Sequence, residues 1–139
     1  MQLHTKNSEL IHLLDRKEIL GTRHEASPIF FSIEGKTDTS IHVQKPLNIF
    51  STDSCYIIIF ESELMGVSSI KQGIVVYNKN THQLAYRMLA TNIMKASWCK
   101  IENENAIVLH LKYKLDFSFM DETTDSKSYK IENNKISVY

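Results

Sequence analysis

Glycine is scarce in this sequence: the four present, Gly21, Gly35, Gly66 and Gly73, never fall close together. A phosphate-binding loop needs clustered glycines so that backbone amides can approach the anion, so both nucleotide-loop fingerprints are absent. Gly66-Val67-Ser68 begins like the sharp turn that exposes a catalytic serine but lacks its second glycine, and reads as a turn between strands. Cysteine is equally sparse. Cys55 and Cys99 cannot make a disulfide framework, and nothing local marks either as a nucleophile, so two reduced thiols buried beside Tyr56 and Trp98 are expected. Charge of one sign is not in excess either: 16 basic and 16 acidic side chains cancel. Without a net field, neither nucleic acid nor anionic lipid is the expected partner. The longest purely apolar run, Cys55 to Phe60, is too short to cross a bilayer as a helix, and residues 1–21 mix Lys6, Asp15, Arg16 and Lys17 among apolar residues rather than forming a secretion signal. A cytoplasmic protein without a membrane partner is the expectation.

What is present is ordinary globular material. With 139 residues, 42% hydrophobic and 23% charged, the chain has enough apolar content to bury one core, and residues 1–139 are expected to form a single domain. Between Asn7 and Leu20 the apolar residues Leu10, Ile11, Leu13, Leu14 and Ile19 gather on one stripe of an α-helix. Asn7 or Ser8 can cap its start, and Gly21 stands where a left-handed stop is commonly needed. Residues 1–21 therefore read as a helical segment.

From Pro28 to the end the hydrophobic period becomes two, with frequent β-branched and aromatic residues. Hairpins are expected around Gly35, around Lys79-Asn80-Thr81-His82, around residues 102–105 and around Glu132-Asn133-Asn134, and Pro46 marks an edge or a bend. From Ile107 to Phe119 the odd-numbered residues are apolar and the even-numbered ones polar, the signature of a strand long enough to require bending or bulging. Residues Asp121 to Ser126 read as a polar loop. Cys55 to Phe60 does not alternate, which suits a strand buried on both faces, with the helix covering the second. The predicted fold is α+β and mainly β: an N-terminal helix packed on a curved antiparallel sheet, a meander over residues 28–139 that can close partway into a barrel.

Chemistry-bearing residues are present without catalytic spacing. The histidines, His4, His12, His24, His42, His82 and His110, include no helical pair flanking a glutamate, so surface histidines rather than metal ligands are expected, and no cofactor is implied. Asp116, Asp121, Glu122 and Asp125 form an acidic set suited to general acid/base work, to a basic partner, or simply to a solvated loop. Trp98, with Tyr86 and Met88 on neighbouring predicted strands, supplies the residue types that anchor protein interfaces. Counted by simple alternation, Trp98 shares a face with Ala96 and Lys100 while Cys99 shares one with Ser97 and Ile101, so neither face of that strand is cleanly apolar. Residues 1–70 carry a net −3 and residues 71–139 a net +3.

In size, compactness and lack of both secretion signal and catalytic motif, the chain resembles the immunity proteins of bacterial toxin–immunity pairs. That resemblance implies a non-enzymatic protein that neutralises a cognate toxin by direct complex formation in the bacterial cytoplasm. Asp116, Asp121, Glu122 and Asp125 would then meet a basic toxin surface, with Trp98 as an anchor. The competing reading is a small-molecule-binding or catalytic β-barrel whose pocket is lined by Leu109, Leu111, Tyr113 and Phe117. A third is a homodimer joined through an apolar sheet face.

Overall fold

The structure, a computed structural model, describes residues 5–24, 30–63, 70–89, 93–101, 107–115, 123–132 and 134–138. One helix, α1 (Thr5–Asp15), precedes eleven strands: β1 (Gly21–Arg23), β2 (Phe31–Glu34), β3 (Ser40–Val43), β4 (Lys45–Ser51), β5 (Cys55–Glu63), β6 (Ile70–Asn78), β7 (Leu84–Leu89), β8 (Ile93–Ile101), β9 (Ile107–Leu115), β10 (Thr123–Glu132) and β11 (Lys135–Val138). They form three antiparallel sheets, β1-β2-β3, β4-β5-β6-β7 and β8-β9-β10-β11, each a meander of sequence neighbours. The expected α+β, mainly β class is observed. The single curved sheet is instead three open ones among the described residues, where none closes into a barrel.

Alternation along the central strands explains the stacking. In β5, Cys55, Ile57 and Ile59 pack with Ile74 and Val76 of β6 and with Tyr129 and Ile131 of β10. The intervening Tyr56, Ile58 and Phe60 pack with Val75 and Tyr77 and with Leu10, Leu13, Ile19, Phe31, Ile33, Ile41 and Val43. Strand β5 is thus buried on both faces, as its unbroken apolar run predicted. The cover of the second face is shared between α1 and the β1–β3 sheet, because an 11-residue helix spans only about 16 Å and cannot shield a four-stranded sheet alone. Pro46 lies in β4, an edge strand, beside a bulge between Pro46 and Asn48, a setting in which a strand accepts proline.

The helix ends five residues earlier than the apolar stripe predicted. Lys17 adopts a left-handed φ of 58°, the Lys17 N–H donates to Leu14 O at 3.0 Å and the Glu18 N–H donates to Leu13 O at 2.9 Å. This reciprocal pair closes the last turn with a lysine where glycine is usual. Ile19 then reaches the core from the turn rather than from the helix. Gly21 serves close approach instead: a Cβ there would collide with the Ser32 carbonyl oxygen and stand 2.8 Å from Leu14 Cδ2. Its absence lets β1 lie between β2 and the helix.

Polar groups pin the layers together. Tyr77 is fully buried, but its hydroxyl accepts the Leu20 N–H at 3.1 Å and lies 2.7 Å from His82 Nδ1. Arg87 of β7 donates to Ile136 O at 3.4 Å and lies over the Tyr129 ring, which ties the second sheet to the third. No helix among the described residues is long and apolar enough to cross a membrane.

Candidate functional site

The third sheet sorts its residues by face through backbone register. Strands β9 and β10 pair without a break from Ile107↔Ile131 to Leu115↔Thr123. Tyr129 and Ile131 are buried against the second sheet, so the register puts Ile107, Leu109, Leu111, Tyr113 and Leu115 on that inner face and His110, Lys112 and Lys114 on the outer one. The rhythm predicted from Ile107 onward is therefore that of a strand through Leu115; its continuation to Phe119 lies outside the described residues.

Strand β8 achieves the same sorting with two bulges, between Ile93 and Lys95 and between Ala96 and Trp98. Each inserts one residue against the partner and resets the alternation. Ala96 then pairs with Tyr113 on the inner face, while Trp98 pairs with Lys112 and Lys95 with Lys114 on the outer face. This corrects the simple count that placed Ala96 with Trp98: the mixed faces read from strict alternation separate once the bulges are included. The bulges expected in β9 lie in β8 instead, because β8 is the strand whose polar and apolar residues fall out of step.

The resulting outer face runs in rows. Lys95, Lys114 and Thr124 lie side by side, then Trp98, Lys112 and Ser126, then Lys100, His110 and Ser128, then Lys130 with Ser137, and Glu132 with Lys135. Among the described residues the register puts six lysines on this face with one acid, Glu132, whose carboxylate lies 3.0 Å from Lys130 Nζ. Like charges directly opposite one another, as at Lys95↔Lys114, destabilise a sheet by tenths of a kcal/mol to about 1 kcal/mol.

Of the residues expected to bind a partner, Trp98 belongs to this face. Asp116, Asp121 and Glu122 lie outside the described residues. Asp125 lies in β10 opposite Tyr113, on the face that carries Tyr129 and Ile131. The polar loop expected over Asp121–Ser126 is strand from Thr123 onward, because those hydroxyl-bearing residues pair with β9. Tyr86 and Met88 are exposed on β7, Tyr86 at 62%. The strands that carry them and Trp98 are not paired as expected, since β7 ends the second sheet and β8 begins the third.

Cys55 is buried, with its Sγ 3.3 Å from Thr52 Oγ1, and Cys99 pairs with Leu111 on the inner face. Among the described residues no group of three or more histidine, cysteine, aspartate and glutamate side chains is placed to hold a metal. The lysine face was not anticipated, because six residues from four strands meet only through pairing. The signal that pointed toward it was the net positive charge of residues 71–139.

No protein-family model, no curated protein and no solved structure matches the chain.

Proposed function

We propose that the protein is a non-enzymatic binding protein, an inhibitor of the immunity type that neutralises a toxin by direct complex formation, and that it takes its partner on the outer face of β8–β11. The observation that carries this reading is the register that puts Lys95, Lys100, Lys112 and Lys114 on the face of Trp98, Lys95 by way of two bulges. Lysines directly opposite one another, as at Lys95↔Lys114, cost folding free energy that an acidic partner surface would offset. The partner is accordingly an acidic protein surface, with Trp98 as the aromatic anchor that such interfaces use. The reading thus moves the contact from the acidic set first expected to meet a basic toxin onto a basic face.

A protein is favoured over a nucleic acid on two grounds. The chain has no net charge to draw it onto a polyanion. Nucleic-acid-binding sheets stack several bases on several rings, and the register places only Trp98 and His110 among such rings on this face, within the described residues. A standard interface of about 1,200–2,000 Å² in total would need most of the four-stranded face.

Co-expression with a toxin candidate encoded beside the gene is expected to yield a stoichiometric complex. Lys112→Glu with Lys114→Glu is expected to weaken that complex at least tenfold, and Trp98→Ala likewise. An unimpaired double variant would remove the lysine face from the reading. Salt-sensitive micromolar binding of single-stranded oligonucleotides at physiological ionic strength would replace the protein partner with a nucleic acid.

A further inference from the structure

The smallest sheet carries a second feature, independent of the lysine face. Its inner residues Phe31, Ile33, Ile41 and Val43 are buried against the second sheet. On the opposite face Ser32, at the centre of β2, pairs with Thr22 of β1 and His42 of β3. His24, just past β1, continues the ladder by donating its N–H to Phe30 O at 3.0 Å. Two imidazoles therefore flank one hydroxyl across three strands. His24 Nε2 lies 2.6 Å and His42 Nδ1 3.0 Å from the same atom, Ser32 Oγ. The ring centroids are 5.9 Å apart, and Phe30 holds the His24 ring edge-on at 82°. Ser32 is only 9% exposed although it stands on an outer face.

A serine hydroxyl has one hydrogen. It can donate to one of the two ring nitrogens and must accept from the other, so one imidazole spends an N–H on a group that a cation would satisfy better. We propose that His24 Nε2, His42 Nδ1 and Ser32 Oγ form a site for one borderline transition-metal ion of the Zn2+, Ni2+ or Cu2+ class, with water completing its coordination. Imidazole nitrogen selects these ions over Mg2+ and Ca2+. Ligands about 2.05 Å from a tetrahedral ion lie about 3.3 Å from one another. The separation of Ser32 Oγ from His42 Nδ1 must open by about 0.3 Å and that from His24 Nε2 by about 0.7 Å. His42 is exposed and His24 half-buried, so both rings can move that far without disturbing the core. In the metal-binding state each histidine carries its proton on the nitrogen that faces away, Nδ1 of His24 and Nε2 of His42. The ion then staples β1 to β3 across β2.

The sequence concealed this pair because its members are 18 positions apart and no local spacing links them. Only the antiparallel register brings them to one serine.

The site is tested by titrating the purified chain with Zn2+, with Co2+ as a spectroscopic probe. One saturable equivalent is expected, with the imidazole proton resonances of His24 and His42 shifting together while those of His82 and His110 stay in place. His24→Ala and His42→Ala are each expected to weaken binding at least tenfold, and His110→Ala to leave it unchanged. Mg2+ and Ca2+ should not compete. The proposal is overturned if no saturable equivalent binds below about 100 µM metal, if all histidine resonances drift together, or if the His24 and His42 variants bind as well as the parent. The resonance experiment uses the unaltered protein, so it stands even if a variant fails to fold.

Discussion

Tyr56 couples the fold to alkaline pH in a way that can be worked through. Its ring is buried between α1 and the second sheet, its hydroxyl donates to Glu18 Oε2 at 2.9 Å, and Lys79 Nζ lies 4.3 Å from the ring centroid. Burial, followed by the hydrogen bond and the negative charge of Glu18, pushes the phenol up to about 12 from an ordinary value of 10.0, against a smaller opposing effect of Arg16. Below pH 10 the folded and unfolded chains both keep this proton, and the contribution is fully present. Above pH 10 the unfolded chain releases it while the folded chain holds it, so stability falls until the folded group ionises near pH 12. By pH 11 the loss is about 1.4 kcal/mol, approaching about 2.7 kcal/mol when ionisation is complete. Tyr56→Phe removes this dependence. At pH 7 it also removes a hydrogen bond to a carboxylate that retains Arg16 at 3.0 Å, a cost of about 1–2 kcal/mol. The variant is therefore less stable at neutrality, and the two proteins converge near pH 11. Urea denaturation from pH 7 to 11 measures the gap directly. Lysine titration and the raised phenols of Tyr77 and Tyr129 are common to both proteins and cancel in the difference. A gap that stays constant over that range would refute the reasoning.

Two further perturbations test the packing. Lys17 holds a left-handed φ of 58° at the helix stop, so Lys17→Gly should raise the urea midpoint by the equivalent of about 0.5–1 kcal/mol; a lowered midpoint would mean that the lysine side chain contributes more than its backbone costs. Ile58 is fully buried in the cluster shared by the helix and the first two sheets, so Ile58→Ala should destabilise by about 2–5 kcal/mol, and a loss below 1 kcal/mol would show that this interface is loosely packed.

The elements legible in the sequence are those whose signal is local. Alternation from Ile107, the unbroken run from Cys55 and the turn at Lys79–His82 each identified a strand or hairpin, because side-chain burial on a single strand writes itself every second residue. The helix stop was misread for an equally local reason. Gly21 carries the composition of a C-cap, but the backbone spends its left-handed residue at Lys17 and uses the glycine where two strands and a helix crowd together. The division into three sheets was not legible, since a meander of antiparallel strands has the same pattern whether or not consecutive hairpins continue one sheet.

The basic face escaped a linear reading because charge was summed along the chain before it was resolved by register. Zero net charge and a slight positive excess after residue 71 are compatible with acids and bases interspersed on every surface, the arrangement that folding and solubility alone favour. Pairing separates them: Lys112 and Lys114 share one face of β9, and each of the two bulges in β8 shifts the alternation by one residue, so that Lys95, Trp98 and Lys100 join the same side. Without the bulges Lys95 would share the face of Tyr129 and Ile131, to which the register also assigns Asp125 and Lys127. The bulges thus move Lys95 to the outer face, beside Trp98, Lys100, Lys112 and Lys114. The bulges account for Lys95 alone; four more lysines on β9, β10 and β11 lie on the same side by plain alternation, and that assembly is what gives the proposed acidic partner its place.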